Sequence, residues 1–354
     1  MDYIEIKGFK SIKSARVDFN PINIFIGANG SGKSNFISFF EFLNRLYNRK
    51  LNEYISLMGG ADKLLHNGRK ITNQIYFRTE FDDGQNGYEA TLVSGADNFV
   101  FTDERLIYQN DRGRNINGSD TEARLKTTDN FRAKYVIKYL NGFRKYHFHD
   151  TSNQSPFTQL SNVDNDIYYL YEKGNNLAAF LYSINKDNKI VYNRILKTIQ
   201  SIAPYFSDFY FQPNNENFVR LLWNDKYSDN LYGATDLSDG TIRFIALTTL
   251  FMQPTLPATI IIDEPELGLH PTAISKLAGM IKSVSAKGCQ VIVATQSTDL
   301  ISHFNPEDII TVDQLNGEST FKRLDSETLV QWLENYTIDD LWKRNIITTG
   351  QPNY

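Results

Sequence analysis

Gly27-Ala28-Asn29-Gly30-Ser31-Gly32-Lys33-Ser34 follows the apolar run Ile22-Asn23-Ile24-Phe25-Ile26 and precedes a stretch in which Phe36, Ile37, Phe40, Leu43 and Leu46 recur at helical spacing. The unit reads as strand, glycine loop, helix, and it satisfies G-x-x-x-x-G-K-S in full. Such a loop turns its backbone N–H groups inward around phosphates, which demands dihedrals that side chains obstruct. The following helix aims the positive end of its dipole at the same charge. Lys33 is placed to contact the β- and γ-phosphates and Ser34 to ligate Mg²⁺. Asn29, Gly30, Ser31, Gly32 and Asn35 complete the candidate nucleotide-binding set.

Outward from this loop, residues 3–9 alternate apolar and polar as a half-exposed strand, with residues 17–19 as its expected partner. Residues 74–109 turn β-like: 75–81, a turn at Asp82-Asp83-Gly84, and a return strand at 88–93. Residues 111–120 read as an exposed loop. Between 121 and 145 Arg124, Lys126, Arg132, Lys134, Lys138, Arg144 and Lys145 outnumber the acids, which describes a solvated face or a surface for nucleic acid or another partner. Residues 164–206 carry the apolar spacing of one or two helices. From 258 onward strand and helix alternate (259–262, 273–284, 290–294, 309–312), the order of a largely parallel sheet covered on both faces. The expected division is 1–75 and 233–354 as two parts of one nucleotide-binding core, 76–150 as a flanking β-rich subdomain, and 151–232 as an inserted helical lobe.

Two further motifs carry chemistry. Thr259-Ile260-Ile261-Ile262-Asp263-Glu264-Pro265 is a buried strand ending in two acids, and open α/β sheets bind ligands at that edge. Asp263 suits Mg²⁺, directly or through water, and Glu264 suits polarising the attacking water. Leu237-Ser238-Asp239-Gly240-Thr241-Ile242-Arg243 opens an apolar helix that Ser238 can cap, and Gly240 lets the backbone approach a phosphate. Taken alone, Ser238, Asp239 and Gly240 describe an ordinary capped helix. Beside the first loop they describe a second phosphate site, reached most economically if each copy offers it to ATP held by another.

The net charge of −4 and pI near 5.8 argue against a uniformly basic protein that coats nucleic acid. A lone cysteine, Cys289, allows no intramolecular disulfide and fits a reducing compartment. No apolar run approaches bilayer-spanning length and no leader is read at the N-terminus, so the expectation is a cytoplasmic protein without a membrane partner.

The order GANGSGKSN, LSDGTIR, IIIDEPELGLHP, VIVATQS resembles the ABC-type ATPases of the RecF, SMC and OLD group, and most of all their short prokaryotic "predicted ATPase" branch, often found with antiphage or toxin-like systems. The resemblance extends to Ile6-Lys7-Gly8-Phe9-Lys10-Ser11, to residues 146–152 and to Gly174-Asn175-Asn176-Leu177-Ala178. It implies an α/β core with a mostly parallel sheet, a flanking antiparallel β-subdomain and an inserted helical lobe. It implies further that Ser238 and Gly240 bind a γ-phosphate across a head-to-tail homodimer, that Arg243 ends this motif, that Glu264 is the catalytic acid beside Lys33, and that residues 266–270 form an interface loop. Asp239 stands where transporter ATPases usually carry glycine. Gln296 stands in the switch strand where many relatives place histidine; its amide can hydrogen-bond a γ-phosphate but cannot titrate. The glutamine that senses Mg²⁺ in many relatives is sought in residues 149–154.

His147-Phe148-His149-Asp150 invites a metal reading, but His66, His270 and His303 form no further ligand set, and a polar strand end facing the nucleotide is preferred. Asn185-Lys186-Asp187-Asn188 lacks the paired carboxylate needed to read guanine, so adenine stands. Relatives of the OLD branch continue into a Toprim nuclease domain; none is read here, and any cleavage of nucleic acid is expected from a separate protein. The leading expectation is an ATP-dependent switch for an effector protein or nucleic acid, in bacterial defence or DNA maintenance. The competing one is a nucleotide-dependent scaffold with negligible hydrolysis that restrains a toxic partner. The motor of a membrane transporter fits least, because the inserted lobes are long.

Overall fold

The computed structural model describes residues 1–333, 335–344 and 346–347; Glu334, inside the aromatic segment 332–342, lies outside them. The chain divides into two compact units, one of Met1–Lys145, Ala258–Ile261 and the residues from Gln290 on, the other of Tyr146–Pro257 and Ile262–Cys289.

The first unit holds two sheets. In one, the strands run in the order Glu318–Arg323, Ile309–Leu315, Ile22–Ile26, Gln290–Thr295, then Thr259–Asp263, of which the residues up to Ile261 belong to this unit. Ile22–Ile26 is paired in parallel on both sides, with Val293 opposite Ile24 on one and Ile309 opposite Ile24 on the other. Strands in such a position are covered on both faces, which is why Ile22–Ile26 and Thr259–Asp263 read as mostly apolar runs and are buried throughout. The hairpin Ile309–Leu315 with Glu318–Arg323 closes one edge antiparallel. The helix Lys33–Tyr47 lays Phe36, Phe39, Phe40, Leu43 and Leu46 into this core, and the Phe36 ring packs 4.6 Å from that of Phe25.

The other sheet is antiparallel, ordered Ile12–Asp18, Tyr3–Phe9, Gln74–Phe81, Asn86–Ser94, Phe99–Tyr108, Asp111–Arg112. One face buries Ile4, Ile6, Phe77 and Leu106. Across the other, the register sets Arg16, Glu5, Arg78, Glu89 and Arg105 side by side, so charges of alternating sign stand opposite one another across the first five strands. The partner of the opening strand begins at Ile12, well before residue 17. Lys10, at φ 48°, turns the chain within two residues, and the polar run Lys13, Ser14, Arg16 hides the strand's pattern. The expected 111–120 loop is tied inward: Asn117 is buried and donates to Glu104 Oε2 at 2.7 Å.

The second unit carries the helices Leu177–Asp187, Lys189–Gln200, Asp239–Met252 and Pro271–Ser285. It also has a small sheet, Phe206–Tyr210 with Leu222–Asp225 and Leu231–Gly233, whose strands are too short for an alternating pattern to announce them. No described helix is long and apolar enough to cross a membrane.

Candidate functional site

In the first unit the 27–34 loop is shaped by three glycines with separate reasons. A Cβ on Gly27 would lie 2.2 Å from the Val312 carbonyl oxygen, and one on Gly32 would lie 2.0 Å from Ser319 Oγ. Gly30 faces open space, but its φ of 81° favours glycine on backbone grounds alone. The loop is braced from outside: Ser319 Oγ donates to the Ser31 carbonyl at 2.7 Å and accepts from Ser11 Oγ at 2.7 Å, and Asn35 Nδ2 donates to Ser11 Oγ at 2.8 Å. Within it, the Lys33 ammonium, 5% exposed, donates to the carbonyls of Gly27 and Ala28 at 2.6 and 2.9 Å. The Ser31 hydroxyl is buried without a hydrogen-bond partner, while Ser34 is exposed at the first turn of the helix.

A fixed cation, a buried unmet hydroxyl and glycines that no side chain could replace form a cradle that fits phosphate. The Ser34 hydroxyl and the Asp263 carboxylate are hard oxygen donors, the kind Mg²⁺ takes. Asn29 accepts from Gln296 Nε2 at 2.6 Å, so the residue after the strand Gln290–Thr295 is joined directly to the loop. Lys10, from the opening motif, donates to Ser38 Oγ at 2.8 Å, and burial lowers its ammonium pKa.

In the second unit the paired acids stand at a strained corner. Asp263 is 8% exposed, and Glu264 has a left-handed backbone at φ 43°, which costs a non-glycine residue on the order of 1–3 kcal/mol. His149 Nε2 lies 3.0 Å from the Asp263 carbonyl oxygen; since a carbonyl only accepts, the ring donates from Nε2. Arg243 gathers the surrounding segments. Its guanidinium donates to the carbonyls of Phe148 (3.2 Å), His149 (2.8 Å) and Leu267 (2.9 Å). A Cβ on Gly268 would meet Arg243 Nη1 at 2.5 Å, and one on Gly240 would meet the Gly268 carbonyl oxygen at 2.4 Å. The start of the helix Asp239–Met252 is thus pressed against the 266–270 loop. Ser238 caps this helix by accepting from Thr241 N at 3.3 Å, and both Ser238 and Asp239 are exposed. His270 caps the next helix, with Nδ1 accepting from Thr272 N at 3.3 Å. A cleft of about 690 Å³ opens over these two helix starts, between Ser238, Asp239, Gly240, His270 and Thr272.

The family described as "AAA domain, putative AbiEii toxin, Type IV TA system" matches residues 22–302, well over half of the chain. The chain belongs to this family. Solved structures agree with this AAA-domain assignment in fold. The SMC head bound to the C-terminal winged-helix domain of ScpA is 17% identical, covers 93% of this chain and 99% of its own, and gives a TM-score of 0.64. The SMC head with an extended coiled coil bound to the C-terminal domain of ScpA, derived from Pyrococcus furiosus, is 18% identical, covers 94% and 98%, and gives 0.57. No curated protein sequence matches the chain. The AAA-domain protein is therefore a nucleotide-binding ATPase by family, with an ABC-type α/β core and an antiparallel β-subdomain.

Of the residues singled out in the sequence, Asn29, Lys33 and Gln296 come together in the first unit, and Asp263, Glu264, Gly240 and Arg243 share one buttressed region of the second. The His147 and His149 rings pack with centroids 3.9 Å apart and planes tilted by 31°, but among the described residues no group of three or more His, Cys, Asp or Glu could hold a metal. In the 149–154 stretch, Asp150 Oδ1 accepts from Ser152 N and Oγ at 3.0 and 2.8 Å, and Gln154 is exposed. Sequence reading missed Ser319, Thr241 and Tyr205. Ser319 acts through its distant position in the fold, which no local pattern records, whereas Thr241 stood inside a motif already in hand.

Proposed function

We propose that this AAA-domain protein binds ATP with Mg²⁺ in the 27–34 loop, hydrolyses it, and dimerises head to tail upon it, serving as a switch for a separately encoded effector in bacterial defence or DNA maintenance. The observation that carries the reading is the 238–240 segment: an exposed, capped helix start whose glycine is held against Gly268 and whose Arg243 is anchored on three carbonyls. That is a rigid phosphate site separate in sequence from the 27–34 loop, which one nucleotide uses economically only across two copies. The SMC heads of the same fold are bound to ScpA domains, which supports a protein partner.

In this reading Lys33 steadies the β- and γ-phosphates and the backbone N–H groups of Gly30, Ser31 and Gly32 surround them, with Asn29 and Asn35 beside them. Ser34 and Asp263 would be the Mg²⁺ ligands, and the ion would supply positive charge that offsets the phosphates. Glu264 orients and deprotonates the attacking water, and Gln296 hydrogen-bonds the γ-phosphate. Ser238, Asp239 and Gly240 of the second copy close the site. Positioning and charge neutralisation suffice, without a covalent intermediate. Lys33→Ala abolishes ATP binding, whereas Glu264→Gln retains it and accumulates dimers, measured by light scattering after size exclusion. Glu264→Gln protein that stays monomeric at saturating ATP-Mg²⁺ overturns the dimer.

A second reading, a scaffold with negligible hydrolysis that restrains a toxic partner, is supported by Gln296, whose amide bonds Asn29 and cannot titrate. Steady-state phosphate release separates the two: turnover equal to that of Glu264→Gln selects the scaffold.

A further inference from the structure

Three hydroxyls form a chain at the start of the helix Asp239–Met252. Thr241 Oγ1 lies 2.8 Å from Ser238 Oγ and 3.3 Å from the Tyr205 hydroxyl, and Thr241 is only 9% exposed. Ser238 Oγ also accepts from Thr241 N at 3.3 Å. Each hydroxyl has one proton and two lone pairs, so the direction of the chain decides what Ser238 can offer. A phenol, with a pKa of about 10, is a stronger acid and hence a better donor than an alcohol. Both contacts admit either direction, and this order of acidity favours Tyr205 donating to Thr241 and Thr241 donating to Ser238. Ser238 Oγ then accepts from both the hydroxyl and the amide of Thr241. Its lone pairs are used, and its own proton points away from the helix.

This polarity matters because a phosphate oxygen only accepts. A serine that gave its proton to Thr241 would present lone pairs to the anion and repel it. We propose that Tyr205 and Thr241 are positioning residues that fix the Ser238 hydroxyl as a donor to a phosphate oxygen bound across the dimer, an inference that rests on the composite-site reading above. Tyr205 is itself held by the small sheet: its carbonyl accepts from Lys226 N at 2.8 Å, and its ring packs 5.8 Å from Trp223, whose indole donates to the Gly233 carbonyl at 2.9 Å. The relay thus links the inserted region to the phosphate site through hydrogen bonds alone.

The test uses the full chain in the Glu264→Gln background, with ATP-driven dimerisation read by light scattering and ATP affinity by a fluorescent analogue. Thr241→Val and Tyr205→Phe keep the shapes and remove the hydroxyls. Each is expected to weaken dimerisation about tenfold or more, the scale of a hydrogen bond to a charged group, while analogue affinity stays within about twofold. Thr241→Ser restores dimerisation, which a change in packing alone would not do. In a Ser238→Ala background, Thr241→Val adds almost nothing, because the proton it directs is gone. Additive losses, or Thr241→Val without effect while Ser238→Ala weakens dimerisation, overturn the relay and leave the composite site standing. Ser238→Ala without effect on dimerisation overturns both.

Discussion

Gly240→Ala puts the proposed, buttressed phosphate site to a quantitative test. The added Cβ lies 2.4 Å from the Gly268 carbonyl oxygen and 3.5 Å from its carbon, whereas comfortable heavy-atom contacts fall near 3.5–4.0 Å, so roughly 1 Å must be recovered. The obstructing atom is main chain and cannot rotate away. Gly268 in turn sits at φ 73° with Arg243 Nη1 behind it. Overpacking of this kind costs about 1–3 kcal/mol, and the backbone obstacle places this case at the upper end. Alanine's advantage over glycine in a helix, about 1 kcal/mol, offsets part of that. The net expectation is destabilisation by about 2 kcal/mol.

Gly279→Ala is the control. It lies in the helix Pro271–Ser285 of the same unit, is exposed, and a Cβ there meets nothing within 4 Å. Only the helix advantage remains, so this variant gains about 0.5–1 kcal/mol. In urea titrations followed by circular dichroism, with a slope of about 2 kcal/mol/M, the midpoint of Gly240→Ala falls by roughly 1 M and that of Gly279→Ala rises by roughly 0.4 M. In the Glu264→Gln background, Gly240→Ala should also lose ATP-driven dimerisation while binding ATP normally. Midpoints that shift in the same direction would refute the close approach of Gly240 to Gly268 and, with it, the rigid site.

Three other outcomes follow from single residues. The buried Asn176 amide accepts from Tyr171 N at 2.8 Å and donates to the carbonyls of Asp166 and Tyr169 at 2.9 and 2.7 Å. Asn176→Asp turns carboxylate oxygens toward those carbonyls and costs about 3 kcal/mol at neutral pH. The variant's carboxyl is raised in the folded state, so the loss grows as pH climbs from 4 to 7, as denaturation at several pH values checks. Glu104 is buried and accepts from Tyr88 Oη, Asn117 Nδ2, Arg124 N and Leu125 N; complete burial, with the Glu104 carboxylate beside it, holds the Tyr88 phenol well above its usual range. Glu104→Gln sets donor against donor, costs about 2–4 kcal/mol, and speeds amide exchange across residues 115–125. Gln296→Ala removes the bond to Asn29, and under the switch reading lowers the hydrolysis rate tenfold or more with ATP affinity changed less than threefold.

What could be read from sequence was what contiguous residues decide. Strands covered on both faces announced themselves as apolar runs at Ile22–Ile26 and Thr259–Asp263, and the helix Lys33–Tyr47 by its 3.6-residue period. The strand Ile12–Asp18 was read late because only Ile12 and Val17 in it are fully buried. Phosphate loops are legible for the same reason as strands: the backbone N–H groups that do the binding are neighbours in the chain, and the glycines they need fall at fixed spacing. What holds those loops in place is not local. Ser319 reaches Ser31 across 288 residues of sequence, and Arg243 reaches Phe148 across 95. A serine in an edge hairpin has no pattern that marks it as a brace, and a glycine such as Gly268 looks like any turn until Gly240 is seen against it. The division has a physical consequence. Residues that touch the nucleotide can be found from motifs, but whether the motifs are rigid enough to act rests on residues such as Ser319, Gly268 and Tyr205. Variants at Ser319 or Tyr205 leave every motif intact and, under the proposed function, are expected to change how ATP is held.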